Sequence, residues 1–221
     1  MKNLNNIDLY FITDSKLTKK TVLDDVKAAI KAGVKIIQYR EKKKPTKLMY
    51  KEAKEIKKLC DENNVLLIIN DGIDICRAID ADGVHLGNDD MLYEKARELL
   101  KNKIIGLTIH NVEEAIKAEK LGADYIGISP IFETKTKLDA GPAAGLKLIE
   151  EVKKAVKIPQ VAIGGINLEN IDDVVKAGAT SAAVISAIIT KDDVEEECKK
   201  FIDRLSLHQS KIGEKTNPEK R

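Results

Sequence analysis

Lys31-Ala32-Gly33-Val34-Lys35-Ile36-Ile37-Gln38-Tyr39-Arg40-Glu41-Lys42 holds in one short stretch the end of a helix, a complete strand and the start of a basic loop. Glycine directly after a last-turn lysine suits the left-handed position that closes a helix, and the lysine complements the carbonyl end of the helix dipole. Upstream, Val22, Val26, Ala29 and Ile30 fall at i, i+4, i+7 and i+8, the spacing of one buried helix face. Downstream, Val34–Arg40 is an aliphatic run of strand length. The same junction recurs at Lys120-Leu121-Gly122 and at Lys176-Ala177-Gly178, each leading straight into another aliphatic run. This weak internal repeat predicts helix and strand alternating along the chain.

Extended in both directions, the reading gives strands over Asp8–Thr13, Val34–Arg40, Val65–Asn70, Gly83–Leu86, Ile104–Thr108, Tyr125–Ser129, Gln160–Ile163 and Thr180–Ser186. A last helix is marked by Val194, Cys198, Phe201, Ile202 and Leu205. Eight strands, each followed by a helix, are too many for a simple doubly wound sheet in a chain of 221 residues. Closure into a (β/α)8 barrel also removes the exposed edges. The expected fold is therefore α/β, a single (β/α)8 TIM barrel over residues 1–207. The segment 208–221 is polar, contains Gly and Pro, lacks periodicity, and is expected to be a disordered C-terminal tail.

Hydrophobic residues make up 43% of the chain but aromatics only 4%, with no Trp, so the core is expected to be built from Ile, Leu, Val and Ala. The 38 basic and 36 acidic residues nearly cancel to a net charge of +2, which gives no case for nucleic acid or an anionic membrane as partner. Cys60, Cys76 and Cys198 form no CxxC pair and read as buried small hydrophobes. There is no cleavable-signal pattern at the N-terminus and no apolar run near the roughly 20 residues that span a bilayer, so a cytoplasmic location is expected. The sequence does not fix the state of assembly, and a homo-oligomer is compatible with it.

In such barrels chemistry gathers where strands end. The second strand runs out through Gln38, Arg40 and Lys42; alternation puts Gln38 and Arg40 on one face, and the two cations suit a polyanion. The third and fourth end in Asn70-Asp71 and His85-Leu86-Gly87-Asn88-Asp89-Asp90. Two acids on adjacent strands opposite a basic cluster suit a hard divalent cation shared with phosphate oxygens, although spacing alone equally allows Asp71 and Asp90 to be helix caps. The fifth ends in Thr108 and His110, and a lone histidine is more often structural than catalytic. After the sixth comes an irregular stretch of about 14 residues, Ser129 to Pro142, long enough to be a functional loop. Hydroxyls and amines alternate within it at Thr134, Lys135, Thr136 and Lys137. Gly164-Gly165 after the seventh strand and Ser186 after the eighth fall where this fold commonly binds phosphate.

Taken together, Gln38-x-Arg40-x-Lys42, Asn70-Asp71, His85-Leu86-Gly87-x-x-Asp90, Thr134-x-Thr136-Lys137, Ala162-Ile163-Gly164-Gly165-Ile166 and Val184-Ile185-Ser186-Ala187-Ile188 resemble the thiamine-phosphate synthase family, in order and spacing, from about residue 8 to 205. The resemblance implies a transferase. It would join a hydroxymethylpyrimidine diphosphate to a phosphorylated hydroxyethyl thiazole, or its carboxylated form, and release diphosphate. By the same resemblance Gln38, Arg40, Lys42, Asn70, Thr108 and Lys137 would hold the pyrimidine diphosphate, with Arg40, Lys42, Lys137 and Thr108 acting in catalysis. Asp71 and Asp90 would ligate Mg2+, and Thr134, Lys135, Thr136, Gly165, Ile185 and Ser186 would form the thiazole-phosphate pocket.

The implied path is dissociative, with charge stabilised on the leaving oxygens and a cation delocalised into the aminopyrimidine. The thiazole nitrogen is already a nucleophile, consistent with the lack of a Ser–His or Cys–His pair. Two positions depart from the family's habit: Thr108 where Ser is common, and Glu133 where Pro is common. An active site requires Glu133 to point away. A thiazole tautomerase on the same barrel is the nearest alternative. A non-catalytic phosphate-binding barrel is another, but paired acids and Lys137 are superfluous for a proton shift or for binding alone.

Overall fold

The computed structural model describes residues 4, 8–134, 136 and 141–215. Strands β1 (Leu9–Ile12), β2 (Ile36–Tyr39), β3 (Leu66–Asn70), β4 (Gly83–Leu86), β5 (Ile104–Ile109), β6 (Tyr125–Ile128), β7 (Gln160–Ile163) and β8 (Ser181–Val184) pair in sequence order, all parallel, and β8 closes on β1. Between them run α1 (Val22–Ala32), α2 (Thr46–Glu62), α3 (Ile73–Ala78), α4 (Tyr93–Leu100), α5 (Val112–Leu121), α6 (Gly145–Ala155) and α7 (Ile171–Ala177). After β8 come the short α8 (Ser186–Ile189) and the long α9 (Val194–Lys215). This is the (β/α)8 barrel the alternation predicts. Each expected strand is present: β4 and β7 have the expected bounds, β5 runs one residue longer, and the other five are shorter by one or two residues at one or both ends, where the chain turns toward a helix.

The recurring Lys-x-Gly junction has the predicted role. Gly33, Gly122 and Gly178 cap α1, α5 and α7 in the left-handed conformation, at φ 99°, 89° and 110°. At the other end of α1, Thr21 accepts a hydrogen bond from the Asp24 N–H, which fixes where the helix begins. The helical backbone of α9 runs to Lys215. Residues 216–221 lie outside the described residues.

Two apolar layers hold the barrel. Phe11, Ile37, Leu67, Ile69, Val84 and Ile126 face outward beneath the helices, while Ile12, Ile36, Leu66, Ile68 and Val161 point inward. The interior is not purely aliphatic, as composition suggested. Tyr10 and Tyr125 lie inside it, 2% and 1% exposed. Neighbouring glycines make the room: a methyl on Gly106 would lie 2.0 Å from Tyr125 Cζ, and one on Gly127 would lie 3.1 Å from His85 Cε1. Gly106→Ala is therefore expected to destabilise the barrel by about 3 kcal/mol through overpacking, read as a lowered denaturant midpoint at unchanged slope.

The three cysteines are free and buried, and burial pushes the Cys76 thiol up to about 12, so it is poorly reactive. No helix among the described residues is long and apolar enough to cross a membrane.

Candidate active site

The carboxyl ends of the strands open into one pocket, and most of the expected residues meet there. Gln38, Arg40, Lys42, Asn70, Asp71, Asp90, Thr108, Thr134, Thr136, Gly165, Ile185 and Ser186 all line it. Lys135 and Lys137 lie outside the described residues. His110 does not line the pocket. Its Nδ1 lies 3.3 Å from Glu114 Oε2 and 3.3 Å from Asn88 Nδ2. Glu133 is exposed and absent from the lining, as an anion pocket requires.

Strand alternation delivers Gln38 and Arg40 to the same face, as predicted. Thr13, just beyond β1, fixes the departure of the chain from β2: its Oγ1 accepts the Arg40 N–H at 2.9 Å. The guanidinium then meets a group the sequence reading passed over. Asp14 Oδ2 accepts from Arg40 Nη1 at 2.6 Å, with side chains only 8% and 14% exposed. An acid two residues past a strand end was a visible signal, of the same kind that singled out Asp71. The loop after Arg40 is shaped by Glu41, whose carboxylate takes the N–H groups of Lys42 and Lys43, each at 2.9 Å. Lys44 turns outward to Glu52. Lys42 alone of these lysines reaches the pocket, where its Nζ lies 2.5 Å from Asp71 Oδ2.

Asp71 and Asp90 are not helix caps. Helices α3 and α4 begin after Gly72 and Leu92, neither with a side-chain cap. Register pairs Asn70 with His85, which sets the exits of β3 and β4 side by side. The two carboxyl groups then face one another. Burial, and after it Asp71, hold the Asp90 carboxyl above its ordinary range, against the pull of the Gly87 N–H at 2.7 Å and of Lys42. Such a destabilised acid pair matches a hard divalent cation that takes one or two protein carboxylates and completes its shell with substrate oxygens and water. No group of three or more His, Cys, Asp or Glu ligands gathers among the described residues.

Opposite, Gly164 and Gly165 hold φ 107° and 64° and pack against the start of the loop after β6. Methyls there would lie 2.7 Å from Pro130 Cβ and 2.6 Å from the Glu133 carbonyl oxygen. Backbone hydrogen bonds from Ile131 to Ile163 and from Phe132 to Gly164 clamp the two loops together. The glycines thus serve close loop packing as well as access to the pocket. In the turn of α8 the first bond runs from the Ile188 N–H to the Ile185 carbonyl, so the N–H groups of Ser186 and Ala187 precede it, beside the pocket.

Beneath the pocket lies a polar chain that the sequence reading did not find. Gln38 Nε2 donates to Tyr10 Oη at 3.1 Å, and Tyr10 Oη lies 2.8 Å from Tyr125 Oη. Tyr125 Oη lies 2.9 Å from His85 Nδ1, and His85 Nε2 lies 2.9 Å from Thr108 Oγ1. His85 was visible in a motif, without a role. Tyr10 and Tyr125 are 115 residues apart, and only closure of the barrel joins them.

A family model described as thiamine monophosphate synthase matches residues 9–188. The chain is 53% identical over 203 residues to a thiamine-phosphate synthase of Methanosarcina barkeri, covering 91% of this chain and 92% of that one. It is 55% identical over 201 residues to that of Methanosarcina mazei, covering 90% and 83%. A solved thiamine phosphate pyrophosphorylase from Pyrococcus furiosus superposes with a TM-score of 0.86 at 40% identity, over 92% of this chain and 98% of that one.

Proposed function

The chain belongs to the thiamine monophosphate synthase family, and we propose that its pocket joins a hydroxymethylpyrimidine diphosphate to a phosphorylated hydroxyethyl thiazole, giving thiamine phosphate and diphosphate. The observation that carries this reading is the Asp71–Asp90 pair set on one rim with Arg40 and Lys42. Acids and cations so close together suit a ligand that is itself a polyanion accompanied by a divalent cation.

In this reading Arg40, steadied by Asp14, and Lys42 hold the diphosphate and stabilise the charge that grows on it as the C–O bond breaks. Lys137 contributes a third cation. Held by Asp71 and Asp90, Mg2+ would supply Lewis-acid neutralisation of the same oxygens. Gln38, Asn70 and Thr108 orient the pyrimidine. Thr134, Lys135, Thr136, Gly165, Ile185 and Ser186 border the thiazole phosphate and bring the ring nitrogen toward the carbon left electron-poor. Thr134 and Thr136, from the loop after β6, border the pocket, and cover from that side would keep water from capturing that carbon first.

The direct test is incubation with both substrates and Mg2+, with mass detection of the coupled product and measurement of released diphosphate. Product should require all three components. Interconversion of thiazole isomers with no coupled product would establish the tautomerase instead. Ser186→Asp sets a carboxylate at the start of α8, beside the pocket. It should raise KM for the thiazole phosphate by about tenfold or more, through like-charge repulsion, and leave KM for the pyrimidine diphosphate nearly unchanged. Equal effects on both constants would remove Ser186 from the thiazole-phosphate subsite.

A further inference from the structure

The polar chain beneath the pocket has a direction that follows from its members. Gln38 donates to Tyr10 through its amide nitrogen, so Tyr10 is already an acceptor. Burial raises both phenols far above their ordinary range, and each keeps its proton. Among the described residues the Tyr10 hydroxyl has two partners, Gln38 and Tyr125. Its proton goes to Tyr125, since the reverse arrangement would leave a buried O–H without an acceptor. The Tyr125 proton then goes to His85 Nδ1, which fixes the Nε2–H tautomer, and Nε2–H is donated to Thr108 Oγ1. Thr108, having accepted, keeps its own hydroxyl proton for the pocket.

Resting on the reading above, we propose that Tyr10, Tyr125 and His85 are positioning residues for the pyrimidine half-reaction. They form a one-way hydrogen-bond chain that commits the Thr108 hydroxyl to donating and the Gln38 side-chain carbonyl to accepting. An aminopyrimidine, which carries N–H donors and ring-nitrogen acceptors, matches both ends. A ring that presents the opposite pattern meets two like groups. The chain is built into the barrel: Gly106 is the register partner of Tyr125 and leaves the space its ring fills, while Gly127, the register partner of Thr108, leaves room for the His85 ring. The chain also fits the hydroxyl at position 108, because serine would serve it as well as threonine.

The test is made on the full-length enzyme with 15N-labelled histidine. The chain has three histidines, so the His85 signals are assigned by their loss in His85→Gln. Neutral His85 should show a protonated Nε2 and a bare Nδ1. Tyr125→Phe keeps the ring over Gly106 and removes only the link. It should give a mixture of tautomers and raise KM for the pyrimidine diphosphate about tenfold, the scale of one misdirected hydrogen bond, with KM for the thiazole phosphate unchanged.

A protonated Nδ1 in the wild type, or a Tyr125→Phe variant with both constants unchanged or equally raised, would overturn the proposal. The tautomer is read without substrate. A wild-type protein with the Nε2–H tautomer and no coupled product would therefore count against the catalytic reading and leave the direction of the chain standing.

Discussion

Asp71→Asn should lower turnover by at least about 100-fold at saturating substrates and Mg2+, roughly 2.7 kcal/mol of transition-state stabilisation. The substitution isolates charge. Asp71 occupies φ 62°, a left-handed conformation that asparagine adopts about as readily as aspartate, so the backbone has no reason to shift. What is lost is one of two facing carboxylates and the counter-charge of Lys42. Steady-state rates across a Mg2+ titration provide the check. A weakened Mg2+ dependence is expected along with the slower rate, and a near-normal rate at high Mg2+ would take Asp71 out of the metal site.

Arg40→Gln should be at least as damaging, lowering kcat/KM for the pyrimidine diphosphate by about 1,000-fold, near 4 kcal/mol. Glutamine keeps some hydrogen-bonding capacity but neither the charge nor the planar fork that grips phosphate oxygens. It also strands Asp14, whose side chain is 8% exposed, as a buried acid without its cation. Circular dichroism and a denaturant curve separate the two losses. Arg40→Gln with Asp14→Asn should recover stability and remain inactive. Recovery of activity along with stability would mean that Arg40 serves the fold and not the substrate.

How much of this was legible beforehand follows from the kind of signal each residue carries. Eight aliphatic runs alternating with amphipathic stretches, three of them entered through a Lys-x-Gly helix end, specify a closed parallel barrel, because each signal is local and each recurs. Strand parity alone delivers Gln38 and Arg40 to one face. It did not reveal Asp14, whose meaning comes from a guanidinium 26 residues away. Nor did it reveal Tyr10 and Tyr125, which read as ordinary strand aromatics until closure sets them across one interior. The choice between capping and metal binding at Asp71 and Asp90 was open in the sequence. Where α3 and α4 start removes the capping option, and boundaries of that kind are set by the packing of each helix on the barrel.

Arg40 and Lys42 each hold an aspartate of the same chain before any ligand arrives. Among the described residues these two rim cations are therefore already matched by carboxylates, and a lone inorganic anion must compete with both. A guest that supplies negative and positive charge together can trade partners with both pairs at once. Discrimination against the cell's abundant free phosphate would then rest on this exchange rather than on the shape of the cavity.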